Sequence, residues 1–379
     1  MRILFASDWW PPRVGGVESQ GFDLASMLAS RGHDVRVLTT WPNPSPLPHG
    51  QRSRVEHLDV PMTAHIAVPD PRRIRAIAER IEAHRPDVVH AHGMFSPLAL
   101  GTILAAARVG VPSVLTVHSL LRPVPVFAAA AMLFRAAANR AAVVTGVSAA
   151  TVRDITRASG RAALQIPNGL AIGDWDCSRS DADDLRVVAV TRLVTKKRPI
   201  DLVHAFASID RALPRLDIRL DIAGDGPERS TLEREAERLG LRDTITFHGN
   251  CSRAEVRALL GRASFFAHAG SHEAFGLAVL EARAAGLPVV AMASGGLPEI
   301  VDHGRHGLLA RTLAEFHAFA ARMAADTELR RRCAAEAARN LEPYGWARVV
   351  PQHEAAYARA MDRRVGGRGA AADRVAAAS

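Results

Sequence analysis

The sequence predicts an α/β protein made of two parallel-sheet domains in tandem, each doubly wound with helices on both faces. Short apolar, β-branched runs alternate with helical patterns from end to end, as a sheet covered on both sides requires. A stretch rich in Gly, Asp and Ser at residues 167–183 interrupts the alternation and reads as a linker. The length of 379 residues also exceeds the ~250 at which a single core usually stops growing.

In the first half the strand-like runs are RILFAS, DVRVLTT (34–40), DVVHAH (87–92), PSVLTVH (112–118) and AAVVTGVS (141–148), with an amphipathic helical stretch from Val17 to Ser30 after the first. The second alternation opens with LRVVAVTRL (185–193) and continues through LDIRLDIAG (216–224), TITFHG (244–249), ASFFAHAG (263–270) and LPVVAMAS (287–294). Helical segments follow from about 312 to 361, and RRVGGRGAAADRVAAAS reads as a loose tail. Ligands of such sheets gather beyond the carboxyl ends of the strands. Chemistry is therefore expected in the loops that follow strands, facing the cleft between the two lobes.

Hydrophobic residues make up 48% and charged residues 23% of the chain, an ordinary globular balance. The net charge of +9 is concentrated early: residues 1–180 hold 19 basic against 13 acidic side chains, and the rest hold 29 against 26. Such a surplus suits phosphorylated small molecules or an anionic membrane surface. With 5% aromatic residues and no nucleic-acid-binding signature, nucleic acid is excluded as the expected partner. Cys177, Cys251 and Cys333 are too few and too scattered for a disulfide framework or a zinc site. The start, MRILFASDWWPP, shows no signal-peptide pattern. The longest apolar stretch, PVPVFAAAAMLF (123–134), is interrupted by prolines and falls short of the ~20 residues a bilayer needs. The expectation is a cytoplasmic protein. Arg72, Arg73, Arg75, Arg80 and Arg85, on a predicted helix whose apolar stripe is Ile74, Ile77 and Ile81, suggest either a solvated basic face or peripheral contact with anionic lipid.

The most informative stretch is SHEAFGLAVLEARAAGLPVVAMASGGLPEIV, residues 271–301. Glu273 sits at the end of a loop and Glu281 is expected about two turns into the helix that FGLAVLEA begins. Taken singly, each glutamate reads as an ordinary solvated side chain. Together they flank a helix N-terminus whose free N–H groups suit a diphosphate, with one carboxylate for each end of the ligand. This stretch resembles the retaining GT-B glycosyltransferases of glycosyltransferase family 4, whose E-x7-E pair precedes a strand and a Gly-Gly loop ending in P-E. Here these are Glu273, Glu281, GLPVVA, Gly295, Gly296, Pro298 and Glu299. The resemblance implies that Glu273 faces the donor sugar and Glu281 the nucleotide ribose, with Ala274, Phe275, Gly276 and Leu277 lining the donor site. Ala274 stands where glycine is commoner in the family.

Lysine occurs only at Lys196 and Lys197; the other 46 basic residues are arginine. The family's G-R-L-x-x-x-K-G segment follows the first strand of the second lobe, and Arg192 and Lys197 stand at its spacing in TRLVTKKRP. The resemblance implies that both neutralise the donor diphosphate. Lysine offers a compact, mobile charge where an arginine fork demands planar geometry. Lys196 is expected in solvent, and Thr191 and Arg198 replace the family's flanking glycines.

PPRVGGVE places Gly15 and Gly16 between the first strand and first helix, nearly as in the family's P-P-x-x-G-G-x-E, which implies a donor contact. No G-x-G-x-x-G follows that strand, which counts against an NAD enzyme. His90 and His92 end DVVHAH and His118 ends PSVLTVH; a lone strand-end histidine is usually structural. Similarity to the family's H-x-H and T-x-H segments implies that His118, and less directly His92, serve the acceptor or transferred sugar. Gly224 and Gly226 in DIAGDGP, with TFHG (246–249), are expected to shape a loop near the nucleotide base.

The resemblance implies a GT-B fold: an acceptor domain over 1–168, a linker over 169–183, a nucleotide-sugar domain over 184–343, a C-terminal helix over 344–364 returning to the first domain, and a flexible tail over 365–379. It implies transfer of a hexosyl group from a UDP- or GDP-linked sugar to a hydroxyl of a glycan, glycolipid, polyol or natural product, with retention. No cofactor is expected. No D-x-D segment follows a strand, so departure of the nucleoside diphosphate is expected to need no metal. The alternative is a nucleotide-sugar epimerase of the same architecture.

Overall fold

The computed structural model describes residues 1–48, 53–58, 71–121, 128–177 and 185–376. They form two compact units, Met1–Gly169 with Trp346–Ser379, and Leu170–Gly345. The first unit runs β1 (Arg2–Ser7), α1 (Gly16–Ser30), β2 (Asp34–Thr39), β3 (Ser53–His57), α2 (Pro71–His84), β4 (Val88–His92), α3 (Pro97–Arg108), β5 (Ser113–Val117), α4 (Ala128–Arg140), β6 (Val143–Gly146), α5 (Ala149–Ser159) and β7 (Leu164–Gln165). The second runs β8 (Leu185–Val190), α6 (Pro199–Ala212), β9 (Ile218–Ala223), α7 (Arg229–Arg238), β10 (Ile245–Gly249), α8 (Arg253–Arg262), β11 (Phe265–His268), α9 (Leu277–Ala284), β12 (Val289–Met292), α10 (Leu297–Ile300), β13 (Gly307–Ala310), α11 (Leu313–Ala325) and α12 (Thr327–Ala337). The chain returns to the first unit as α13 (Trp346–Ala376).

Both sheets are parallel, in the order β3-β2-β1-β4-β5-β6-β7 and β10-β9-β8-β11-β12-β13. Each reverses direction of winding once, between β1 and β4 in the first sheet and between β8 and β11 in the second. Those two crevices are where a doubly wound sheet leaves room for a ligand. The buried patterns of β4 and β5 explain why these runs read as continuous apolar strands: every residue of each is buried. One apolar cluster of the first unit joins its sheet to α2, α3 and α4, and another joins the sheet to α1 and α13. A third gathers β8, β9, β11, α6 and α11 in the second unit.

Helix starts follow local chemistry. Ser148 caps α5 and Ser252 caps α8: each hydroxyl accepts from the N–H of the third helical residue, whose side chain accepts from the cap's own N–H in return. In the first unit the carboxamide of Gln20 on α1 bonds both backbone groups of Gly169, donating to its carbonyl at 2.7 Å and accepting from its N–H at 2.9 Å. Gly169 has no room for a side chain, because a Cβ there would lie 2.3 Å from the Trp346 ring. Gln20→Leu strands two buried backbone groups, and urea unfolding should show a loss of about 3 kcal/mol; an unchanged midpoint would mean that water replaces the carboxamide.

Several expectations need correction. α13 runs on to Ala376, into the segment expected from residue 365 as a tail, although Gly366, Gly367 and Gly369 there disfavour helix. Arg85 lies one residue beyond α2, at φ 47°, while Arg72, Arg73, Arg75 and Arg80 lie on the helix. Three short strands went unforeseen: β3, β7 and β13. They are too brief or too polar for a period to show. Of the apolar stretch 123–134, residues up to 127 lie outside the described residues, and the remainder enters α4. Residues 178–183 of the expected linker also lie outside them.

Candidate functional site

In the second unit the loops leaving β8 and β11 flank the crevice where the strand order reverses. The first carries Arg192 and, on a short 3-10 turn, Lys197; the second carries Glu273. Lys197 Nζ donates to Glu273 Oε2, so a cation and a carboxylate 76 residues apart in sequence meet across the crevice. Their side chains are only 18% and 13% exposed. His268, the last residue of β11, places Nε2 3.2 Å from the same Oε2, near enough for charge interaction but poorly aligned for a hydrogen bond. Burial raises the Glu273 pKa, yet the His268 ring and the Lys197 ammonium together outweigh it and hold the carboxyl well below its ordinary range. Both contacts converge on Oε2, and no hydrogen bond engages Oε1 among the described residues.

Arg192 follows β8 and is exposed, and no hydrogen bond or ion pair among the described residues ties it to Lys197 or Glu273. Lys196 is exposed as well. Arg198 takes the place of the family's glycine and adopts the left-handed conformation that glycine favours, at φ 53°. That conformation costs ~1 kcal/mol for a residue with a Cβ, and the Arg198 Nε to Asp201 Oδ2 hydrogen bond of 2.6 Å offsets it. Gly224 and Gly226 bring the loop after β9 against the loop after β8: a Cβ on Gly224 would lie 1.9 Å from the Thr191 carbonyl oxygen, and one on Gly226 2.3 Å from that of Leu193.

Ala274, Phe275 and Gly276 are buried and Leu277 is half-buried. Gly276, at φ 104°, is the cap from which α9 springs, so the helix starts at Leu277. Glu281 is therefore one turn into α9, not two, because the positive φ delays the first helical residue. It is half-buried. The Gly296 N–H bonds the Glu273 carbonyl at 3.0 Å, which ties the Gly-Gly loop to the catalytic candidate. Among the described residues no three His, Cys, Asp or Glu side chains are grouped to hold a metal ion.

In the first unit Gly15 and Gly16 follow β1 at the crevice beside β4. The Glu18 carboxylate fills the space where a Gly15 side chain would stand and accepts a hydrogen bond from Arg13, whose guanidinium lies 3.8 Å over the Trp9 ring. His92 ends β4 and His118 follows β5; their rings stack at 5.0 Å with His92 Nδ1 2.8 Å from His118 Nε2.

The family pattern described as Glycosyltransferase Family 4 matches residues 14–172, and that described as Glycosyl transferases group 1 matches residues 177–340. The GDP-mannose-dependent alpha-(1-6)-phosphatidylinositol monomannoside mannosyltransferase of Mycobacterium tuberculosis is 33% identical over 343 residues, 81% of this chain and 84% of that protein. The chain belongs to this glycosyltransferase family. The phosphatidylinositol N-acetylglucosaminyltransferase gpi3 subunit of Schizosaccharomyces pombe is 31% identical over 332 residues, 78% of this chain and 66% of that protein. The chain spans about two thirds of the length of that protein and of its plant and human counterparts. The Anabaena HepE structure in complex with UDP and glucose superimposes with a TM-score of 0.77 at 22% identity, over 93% of this chain and 98% of that one. The glycosyltransferase thus has the GT-B fold of two Rossmann-like units.

These relatives give an epimerase no support. Sequence reasoning missed His268 in this glycosyltransferase, although it is a strand-end histidine five residues before Glu273. No described helix is long and apolar enough to cross a membrane.

Proposed function

We propose that the protein transfers a hexosyl group from a UDP- or GDP-linked sugar to a hydroxyl of a polyol or glycolipid acceptor, with retention and without a metal ion. The observation that carries this reading is the Lys197–Glu273 pair spanning the crevice between β8 and β11. Lys197 neutralises the diphosphate and Arg192 adds a second cation, work that a divalent ion does elsewhere. Glu273, held ionised, accepts a sugar hydroxyl through Oε1. Glu281 takes the ribose, and His118 and His92 serve the acceptor side.

Transfer proceeds on one face of the sugar. The bond from the anomeric carbon to the β-phosphate oxygen breaks as the bond to the acceptor oxygen forms, and the acceptor proton passes to the departing phosphate. A relative that by its name acts on phosphatidylinositol monomannoside supports a lipid-borne polyol. So do the exposed Arg72, Arg75 and Arg80 on α2, which suit an anionic surface. Incubation with UDP-glucose or GDP-mannose, with and without vesicles containing phosphatidylinositol, tests the whole reading. Nucleoside diphosphate should appear only when the vesicles are present, and the product should show an α-anomeric proton. Release that ignores the acceptor, or a β product, would overturn it.

A further inference from the structure

His90 and His92 alternate along β4 and so face the same side of the first sheet, with His118 beside them after β5. Contacts link them into one branched chain. Tyr357 Oη on α13 is 2.7 Å from His90 Nδ1, His90 Nε2 is 2.7 Å from Thr116 Oγ1, and Thr116 Oγ1 is 2.7 Å from Thr145 Oγ1. His92 Nε2 lies 3.4 Å from His90 Nδ1, and His92 Nδ1 lies 2.8 Å from His118 Nε2. Burial, reinforced by neighbouring histidines, pushes His90 and His92 well below 6.5, and burial brings His118 down to about 4. Each ring is neutral at pH 7, with one N–H and one lone pair.

Two arrangements keep donation running one way through every contact, with His90 Nδ1 shared between Tyr357 Oη at 2.7 Å and the more distant His92 Nε2 at 3.4 Å. In the first, Tyr357 donates to His90 Nδ1, His90 Nε2–H donates to Thr116, His92 Nε2–H points at His90, and His118 Nε2–H donates to His92. The second reverses every donor. A phenol is a stronger donor and a weaker acceptor than an aliphatic alcohol, so the imidazole lone pair belongs opposite Tyr357 and the N–H opposite Thr116. The reverse direction also strands the Tyr357 proton, which is confined to its ring plane and has no other hydrogen bond among the described residues. A threonine hydroxyl rotates to find an acceptor.

We propose that Tyr357, through His90 and His92, fixes His118 as the Nε2–H tautomer, so that the His118 Nδ1 lone pair faces a small cavity lined by Gln20, His92, Asn168, Trp346 and His353. The cavity offers about 10 Å³ to a water centre, room for a single water. His118 Nδ1 and His353 Nδ1 are both buried without a well-formed hydrogen bond. The Asn168 amide beside the ring raises the His118 pKa, as its oxygen does when it accepts from a ring N–H, so this tautomer requires the amide to turn and present its NH₂ to the Nδ1 lone pair. Tyr357, His90 and His92 are then positioning residues that make His118 a hydrogen-bond acceptor. This rests on the acceptor-side reading of His118.

The test is the ¹⁵N spectrum of the full chain labelled at histidine, at pH 7 and without ligand, assigned by loss of signals in His118→Gln. The wild type should show a protonated Nε2 and an unprotonated Nδ1 for His118, and Tyr357→Phe should draw the two signals together as both tautomers become populated. A protonated Nδ1 in the wild type, or an unchanged pattern in folded Tyr357→Phe, overturns the proposal. Should Tyr357→Phe fail to fold, the wild-type spectrum decides. Wild-type turnover of UDP-glucose or GDP-mannose by His118→Gln would instead remove the functional reading of His118 and leave the tautomer assignment standing.

Discussion

Lys197→Ala should lower kcat about 10²–10³-fold at saturating donor, the scale on which loss of one preorganised charge at a developing anion is felt. The departing diphosphate gains negative charge as the sugar bond breaks, so the ammonium acts more strongly on the transition state than on the bound donor. Lys197→Arg should not restore the rate, because a planar fork cannot track the leaving phosphate as a point charge does. A loss of less than tenfold in steady-state kinetics would remove Lys197 from the mechanism.

The same substitution has a second, structural readout. It leaves the 13% exposed Glu273 side chain facing His268 without its ammonium partner, a loss of about 3 kcal/mol if the pair behaves as a buried one. In the wild type the Glu273 pKa is depressed on folding from its ordinary 4.5. Its stabilisation is therefore fully present above that value and disappears as pH falls through the folded pKa. Denaturant midpoints taken between about pH 6 and 3 should fall less steeply for Lys197→Ala than for the wild type. Parallel curves would show that Lys197 does not set the charge state of Glu273.

Gly224→Ala should cost about 3–5 kcal/mol and abolish donor binding. Two reasons act together. The residue sits at φ 135°, which a side chain resists, and its Cβ would lie 1.9 Å from a backbone oxygen of Thr191 that cannot swing aside. Thr191 N–H bonds the Ala223 carbonyl at 3.0 Å and Gly224 N–H bonds the Gly249 carbonyl at 2.7 Å, so the loops after β8, β9 and β10 are joined edge to edge. Any shift is passed to Arg192 and thence to the turn that carries Lys197. Guanidinium unfolding together with calorimetric titration of UDP and GDP would check this; wild-type values in both would show that the loops have slack the geometry denies them.

Much of this architecture was legible because buried parallel strands leave a strong mark. The runs at RILFAS, DVVHAH and LRVVAV are mostly apolar and buried along nearly their whole length, since helices cover both faces. β3, with the polar sequence SRVEH, and the two-residue β7 carry no such mark, and only pairing with a neighbour makes them strands. Similarly, the start of α9 depends on the φ of Gly276, which composition alone does not specify. Glu273 and Lys197 were marked by the resemblance of two separate segments to motifs of the family. Their meeting was not, because 76 residues and the reversal of strand order between β8 and β11 separate the cause from the contact.

By itself the sequence determined the two doubly wound sheets and the residue types at the ends of the strands, since periodicity and spacing are properties of the chain. The tertiary structure alone decided that Lys197 and His268 share one oxygen of Glu273, and that Tyr357 of the last helix reaches His90 in the first sheet. Proton affinity and hydrogen-bond direction depend on distances of a few ångströms between side chains remote in sequence, and folding sets those distances.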